Sequence, residues 1–202
     1  MKPQTETSLA ETSQTETSLH RSAVDVLSSW TAHDADQDSL RHTYLAFLAA
    51  NPDACLRRSA SGHLTASTII FDATLRFVLL TLHPRVGAWI QLGGHCEEDD
   101  ASITDAAARE AAEESGLGDL TLTSTPVHLH THPITCSLGV PTRHLDVRFA
   151  AIAAGRSGDE LPDIVRSDES VDLAWWPVDA LPADTDPESI PVLIERGLAA
   201  FG

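Results

Sequence analysis

Arg109, Glu110, Glu113 and Glu114 have the types and spacing to hold a divalent cation against a phosphorylated substrate. Residues three and four apart on a helix share a face, so the glutamates project to one side. Like charges at that spacing repel by about 0.2–0.5 kcal/mol per pair, and more once they lose water. A hard cation removes the repulsion, and magnesium takes only one or two protein carboxylates, keeping positions for water and phosphate oxygens. A cation so placed can polarise a ligand's oxygens and acidify bound water, and a carboxylate can take the released proton. Standing alone, the tetrad would read as a solvated helix face with an Arg109–Glu113 ion pair. It does not stand alone: the Gly93-Gly94 turn precedes it, and the string RExxEExGL runs on to a terminating glycine, Gly116.

The elements that must position these residues follow from periodicity. A helix is expected over 102–115, with Ser102 as N-cap, Asp100 and Asp105 near the positive end of its dipole, and Gly116 in the left-handed C-terminal position. Ala108 and Ala112, with Ala111 beside them, give the opposite side small residues for close approach to a sheet. Residues 89–92 form a short strand that Gly93-Gly94 should stop. Upstream, HLTASTIIFD and FVLLTLH flank the polar break 73–76 in a hairpin-like pattern. Downstream, strands are expected at 120–122, 126–131, 145–154 and 173–177, an acidic loop at about 157–169, and an amphipathic helix at 190–201. Between about residues 21 and 54, Val24, Val26, Leu27 and Trp30, then Leu40, Tyr44, Leu45, Phe47 and Leu48, recur at helical spacing and predict two helices, read as a packing appendage. Residues 1–20, with TETSL repeated, hold almost nothing that could enter a core and read as a flexible tail.

The ordered string around Arg109 resembles the Nudix hydrolase superfamily, whose signature runs Gly, five residues, Glu, seven residues, then Arg-Glu-aliphatic-x-Glu-Glu-x-Gly-aliphatic. Arg109, Glu110, Glu113, Glu114, Gly116 and Leu117 fall in place, with Ala111 at the aliphatic position. The first half departs: Asp100 stands where Glu is expected, and eight residues, not seven, separate it from Arg109. Residues 89–95, WIQLGGH, look like the strand and turn that enter the signature, and LAWWPVDAL looks like a closing strand, so the resemblance covers roughly residues 60–202.

The resemblance implies an α/β fold, a three-layer α/β/α sandwich with a mixed sheet, over 59–202, and the helical periodicity sets a helical extension before it over 21–58. It implies a magnesium- or manganese-dependent hydrolase that cleaves the pyrophosphate bond of a nucleoside diphosphate linked to another group. Glu113 and Glu114 would be the principal metal ligands, Glu110 a third ligand or water-activating group, and the Gly94 carbonyl a backbone ligand. Arg109 would orient them, with Asp100 serving Arg109. Relatives often add an acid from a late loop, for which Glu169 is best placed and Asp168 and Asp172 are rivals. The altered loop spacing motivates a second reading, a non-catalytic domain that binds a nucleotide-type ligand. A homodimer is suggested by the family and by the apolar N-terminal helices.

Other features narrow the function. Thirty acidic residues against thirteen basic ones give a formal charge of −17, which repels long nucleic acids. No apolar run approaches the ~20 residues of a membrane span, and no signal or transit peptide is legible, so a cytoplasmic protein without a membrane partner is expected. Cys55, Cys96 and Cys136 lack CxxC spacing and read as reduced thiols. Isopentenyl diphosphate isomerases share the Nudix fold and use a cysteine, but nothing around Cys96 or Cys136 supports that chemistry. His128, His130 and His132 alternate along one strand face, where an ordinary strand is preferred to a zinc site.

Overall fold

Strand β1 (His63–Phe71) organises the sheet, and all nine of its residues are buried. In this computed structural model, which describes residues 17–135, 139, 141–155 and 160–202, β1 pairs along its whole length in parallel with β7 (Pro141–Ala153). Its other edge is divided. β2 (Phe77–His83) takes Ile70 and Phe71, completing the expected hairpin, and β4 (Leu92–His95) takes Thr65 to Thr68. Outward from β2 lie β3 (Ala88–Ile90) and β8 (Asp172–Pro177). β5 (Leu120–Leu122) and β6 (His128–Thr135) pair antiparallel with β7. The sheet is therefore mixed, as expected.

Side chains alternate across a strand, so β1 feeds two cores. Ile69 and Phe71 pack with Ile190, Leu193 and Ile194 of α4 (Ile190–Phe201). Ile70 packs on the other face with Ala111 and Leu117, at the C-terminal half of α3 (Ile103–Ser115). Helix, sheet and helix make the three layers.

The N-terminal helices are part of this core. α1 (Ser18–Ser29) and α2 (Ala35–Ala50) bury Leu19, Ala23, Leu27, Tyr44 and Leu48 in one cluster with Ile103, Ala106 and Ala107 of α3 and Val147 and Phe149 of β7. α1 starts before the expected residue 21, because the Thr17 hydroxyl caps it through the His20 amide (3.1 Å) and Leu19 is buried. Of the expected tail, residues 1–16 lie outside the described residues. Asp34 caps α2 through the Gln37 amide (2.8 Å). Gln37 then donates to the Leu129 carbonyl (3.0 Å) and accepts from the Leu129 amide (2.7 Å), as a pairing strand would on the free edge of β6.

Two local expectations are corrected. Gly93-Gly94 does not stop a strand: the break falls at Gln91, and β4 runs through both glycines to His95. Gly93 has φ +144°, and a Cβ there would lie 2.3 Å from the Ser67 Cβ, so only glycine lets β4 pair against β1 at that point. The packed face of α3 carries Ala106, Ala107 and Ala111, while Ala108 and Ala112 are only half-buried. Among the described residues, no helix is long and apolar enough to cross a membrane.

Candidate active site

α3 begins and ends where its sequence directs. The Ser102 hydroxyl accepts from the Asp105 amide (3.0 Å) and Gly116 closes the helix at φ +72°. Its acidic side forms one wall of a cleft of about 600 Å³, where Glu110, Glu113 and Glu114 meet Gly94 and Glu169. The structure thus brings together the residues that the sequence nominated. Of the late-loop acids, Glu169 lines the cleft and Asp168 and Asp172 do not.

Arg109 is the hub. Its Nε and Nη2 donate to the two carboxylate oxygens of Asp100, both at 3.0 Å. Nη2 also reaches the His95 carbonyl (2.9 Å), and Nη1 reaches Glu110 and Glu113, both at 3.1 Å. The extra loop residue is absorbed because Asp100, itself buried, holds the Glu97 amide at 2.7 Å and so folds the loop back onto the arginine. Burial would raise the Asp100 pKa, but the hydrogen bonds from Arg109 and the Glu97 amide outweigh it and leave it below the usual carboxylate value.

Glu110 and Glu114, which face the cleft, behave oppositely. Burial raises the Glu110 pKa against the pull of Arg109. Burial pushes Glu114 up to about 7, with Glu110 and Glu169 adding repulsion, although the Gly93 amide donates to it at 2.9 Å. Gly94 approaches so closely that a Cβ there would lie 2.6 Å from a Glu110 carboxylate oxygen. Glu110, Glu113, Glu114 and Glu169 thus converge with a backbone segment, and of these Arg109 pairs with Glu110 and Glu113. This oxygen-rich, undercompensated set fits a hard divalent cation.

Glu169 reaches the cleft on a loop held at both ends. The Val165 amide donates to the Ser115 carbonyl (2.7 Å) at the end of α3, and Trp175 Nε1 donates to the Pro162 carbonyl (3.1 Å). At the far end the Thr81 hydroxyl donates to buried Ser170 (2.6 Å), next to Glu169.

Cysteine chemistry finds no support among the described residues. Cys55 and Cys96 are buried free thiols; burial pushes Cys55 up to about 12 and Cys96 well above its ordinary value. Cys136 lies outside the described residues. His128, His130 and His132 stack along β6 at ring separations of 6.3 and 5.5 Å, and Arg148 donates to His130 at 3.1 Å. A different histidine group, His63, His95 and His144, brings one ligand atom of each within 4.8 Å of the others; it was missed in the sequence because its members lie far apart in the chain.

A mixed sheet between helices, with a carboxylate helix packed on a glycine strand and both lining one cleft, accords with the hydrolases that cleave pyrophosphate bonds. The NUDIX domain model matches residues 62–196, and the chain belongs to that family. Among solved structures it is similar to a NUDIX-family hydrolase from Clostridium perfringens (24% identity, 69% of this chain and 96% of that one, TM-score 0.51). It is also similar to the E. coli dihydroneopterin triphosphate pyrophosphohydrolase (23% identity, 66% and 92%, TM-score 0.52). A third is a C. elegans Ap4A hydrolase in a binary complex (19% identity, 68% and 96%, TM-score 0.50). At these identities the likeness shows the fold. No curated protein sequence matches the chain significantly.

Proposed function

We propose that the protein hydrolyses the pyrophosphate bond of a nucleoside diphosphate linked to another group, in a magnesium- or manganese-dependent reaction in the cytoplasm. The observation that carries this reading is the convergence of Glu110, Glu113, Glu114 and Glu169 on Gly94 in one cleft. Glu113, Glu114 and Glu110, with the Gly94 carbonyl, would hold the cation, which supplies positive charge to the phosphates and acidifies bound water.

The chain's own residues do the rest. Asp100 fixes Arg109, and Arg109 fixes the Glu110 and Glu113 carboxylates, so their geometry is set before substrate arrives. Glu169, on its anchored loop, takes the proton from the attacking water. The bidentate Asp100–Arg109 pair supports catalysis over simple ligand binding, because it accommodates the longer loop that motivated the binding reading.

A turnover screen tests this, using nucleoside triphosphates, dinucleoside polyphosphates, nucleotide sugars, ADP-ribose, NADH and coenzyme A with magnesium or manganese. The screen includes Ap4A and dihydroneopterin triphosphate, which the names of two fold neighbours mention. At least one substrate should turn over only with metal, and Glu169→Gln should slow it roughly 10²–10⁴-fold, as loss of a general base does. Nucleotide binding without turnover of any substrate would favour the non-catalytic reading.

A further inference from the structure

Behind the signature strand, three histidines from separate strands point at one another. His63 opens β1, His144 lies directly opposite it on β7, and His95 closes β4. Their ring centroids are 4.9 Å (His63–His144), 5.1 Å (His63–His95) and 4.9 Å (His95–His144) apart, a nearly equilateral triangle. One ring nitrogen of each lies within 4.8 Å of those of the other two. Nε2 of all three is buried without a hydrogen-bond partner, and His63 and His144 are 1% and 8% exposed.

Buried polar atoms are nearly always hydrogen-bonded, so three bare nitrogens in one place call for a common partner. We propose that His63, His95 and His144 form a second metal site, for a divalent transition ion of the zinc type, distinct from the carboxylate site on α3. Imidazole nitrogens suit zinc and its neighbours, whereas magnesium prefers oxygen. Bonds of about 2.0–2.1 Å in a tetrahedral site put donor nitrogens roughly 3.3 Å apart, which small side-chain rotations reach. Three histidines leave a fourth position for water.

The surroundings prepare one ligand and oppose another. Nδ1 of His63 faces the Ser59 carbonyl at 3.4 Å, which favours the proton on Nδ1 and leaves the Nε2 lone pair free. His95 is held the other way: exposed Arg57 donates to its Nδ1 at 2.7 Å, which places its proton on Nε2. The ion displaces that proton, and Arg57 swings into solvent as Nδ1 takes a hydrogen. Arg57 therefore competes with the metal. An ion here ties β1, β4 and β7 together one residue after Gly94, at the residue whose carbonyl receives Arg109.

The test is a cobalt(II) titration of the full chain, stripped of metal and kept in excess magnesium to occupy the carboxylates, reading the visible ligand-field bands and the bound-metal stoichiometry. One cobalt ion should bind with a low-coordinate spectrum and be displaced by zinc. The Glu113→Gln/Glu114→Gln double variant and His132→Gln should keep that spectrum. His63→Gln and His144→Gln should each weaken binding at least about tenfold. Arg57→Ala should tighten it, and this arm decides if both histidine variants lose their fold by circular dichroism. Wild-type affinity in folded His63→Gln and His144→Gln, absence of the spectrum in wild type, or unchanged or weaker binding by Arg57→Ala would overturn the proposal.

Discussion

At the scale of single residues, the carboxylate helix makes its strongest claims about charge. In the metal-free protein Glu114 titrates near 7, well above the ordinary 4.5, because burial opposes its ionisation. A raised folded-state pKa stabilises the fold below the unfolded value and loses that contribution as pH rises through the folded one. From this group, the metal-free chain should therefore be less stable at about pH 8 than at about pH 5. Magnesium needs the ionised form, so its affinity should fall by up to about tenfold per pH unit below pH 7. Thermal melts with and without magnesium across that range check both signs. Asp100 makes a second claim. Asp100→Asn strips the charge from a buried, bidentate partner of Arg109 and should cost about 1–3 kcal/mol in urea unfolding, with a lower kcat. Arg109, Glu110, Glu113 and Glu114 were legible in the sequence because one helix carries them all at fixed spacing. His63 and His144 were not, since their meeting depends on a parallel register between β1 and β7 that no local pattern announces.

At the scale of elements, the two glycines before the helix do different work. Gly93→Ala forces a side chain into a positive-φ position and onto Ser67, and should destabilise the fold by about 2–3 kcal/mol in a denaturant melt. Gly94→Ala drives a methyl group into the Glu110 carboxylate, a flexible partner, so the fold should survive. Displaced ligand geometry should instead lower turnover roughly 10²-fold. Most elements were readable from period and caps; α4 falls at the expected 190–201, and α3 follows its cap at Ser102. The path through Gly93-Gly94 was not, because glycine breaks a strand by propensity and is required in this one by the close approach of Ser67. The alanine face was shifted for a related reason: which alanines pack depends on how α3 lies on the sheet, and spacing alone leaves that rotation open.

At the scale of the whole molecule, the N-terminal helices complete the hydrolase core. Their apolar stripes, read in the sequence as a packing appendage, cover α3, β6 and β7 of the same chain. Gln37→Ala should cost about 1–3 kcal/mol in chemical denaturation, since it strips both backbone partners from Leu129 in a buried setting. Retention of wild-type stability would show that water replaces the amide there. The domain's fold class was legible because the signature and the strand pattern agree over most of the chain. The depth to which α1 and α2 enter the core was not, because an amphipathic stripe does not say what it will meet. Over all of this stands the claim that the acidic face of α3 binds a cation and needs it for hydrolysis. The direct measurement is magnesium-dependent release of product from the best substrate by wild type and by Glu114→Gln, with magnesium binding followed by calorimetry on the same samples. We predict a folded Glu114→Gln protein in which magnesium affinity and turnover fall together by roughly 10²-fold or more. Wild-type turnover in that variant, or turnover by the wild type in excess chelator, would contradict the account.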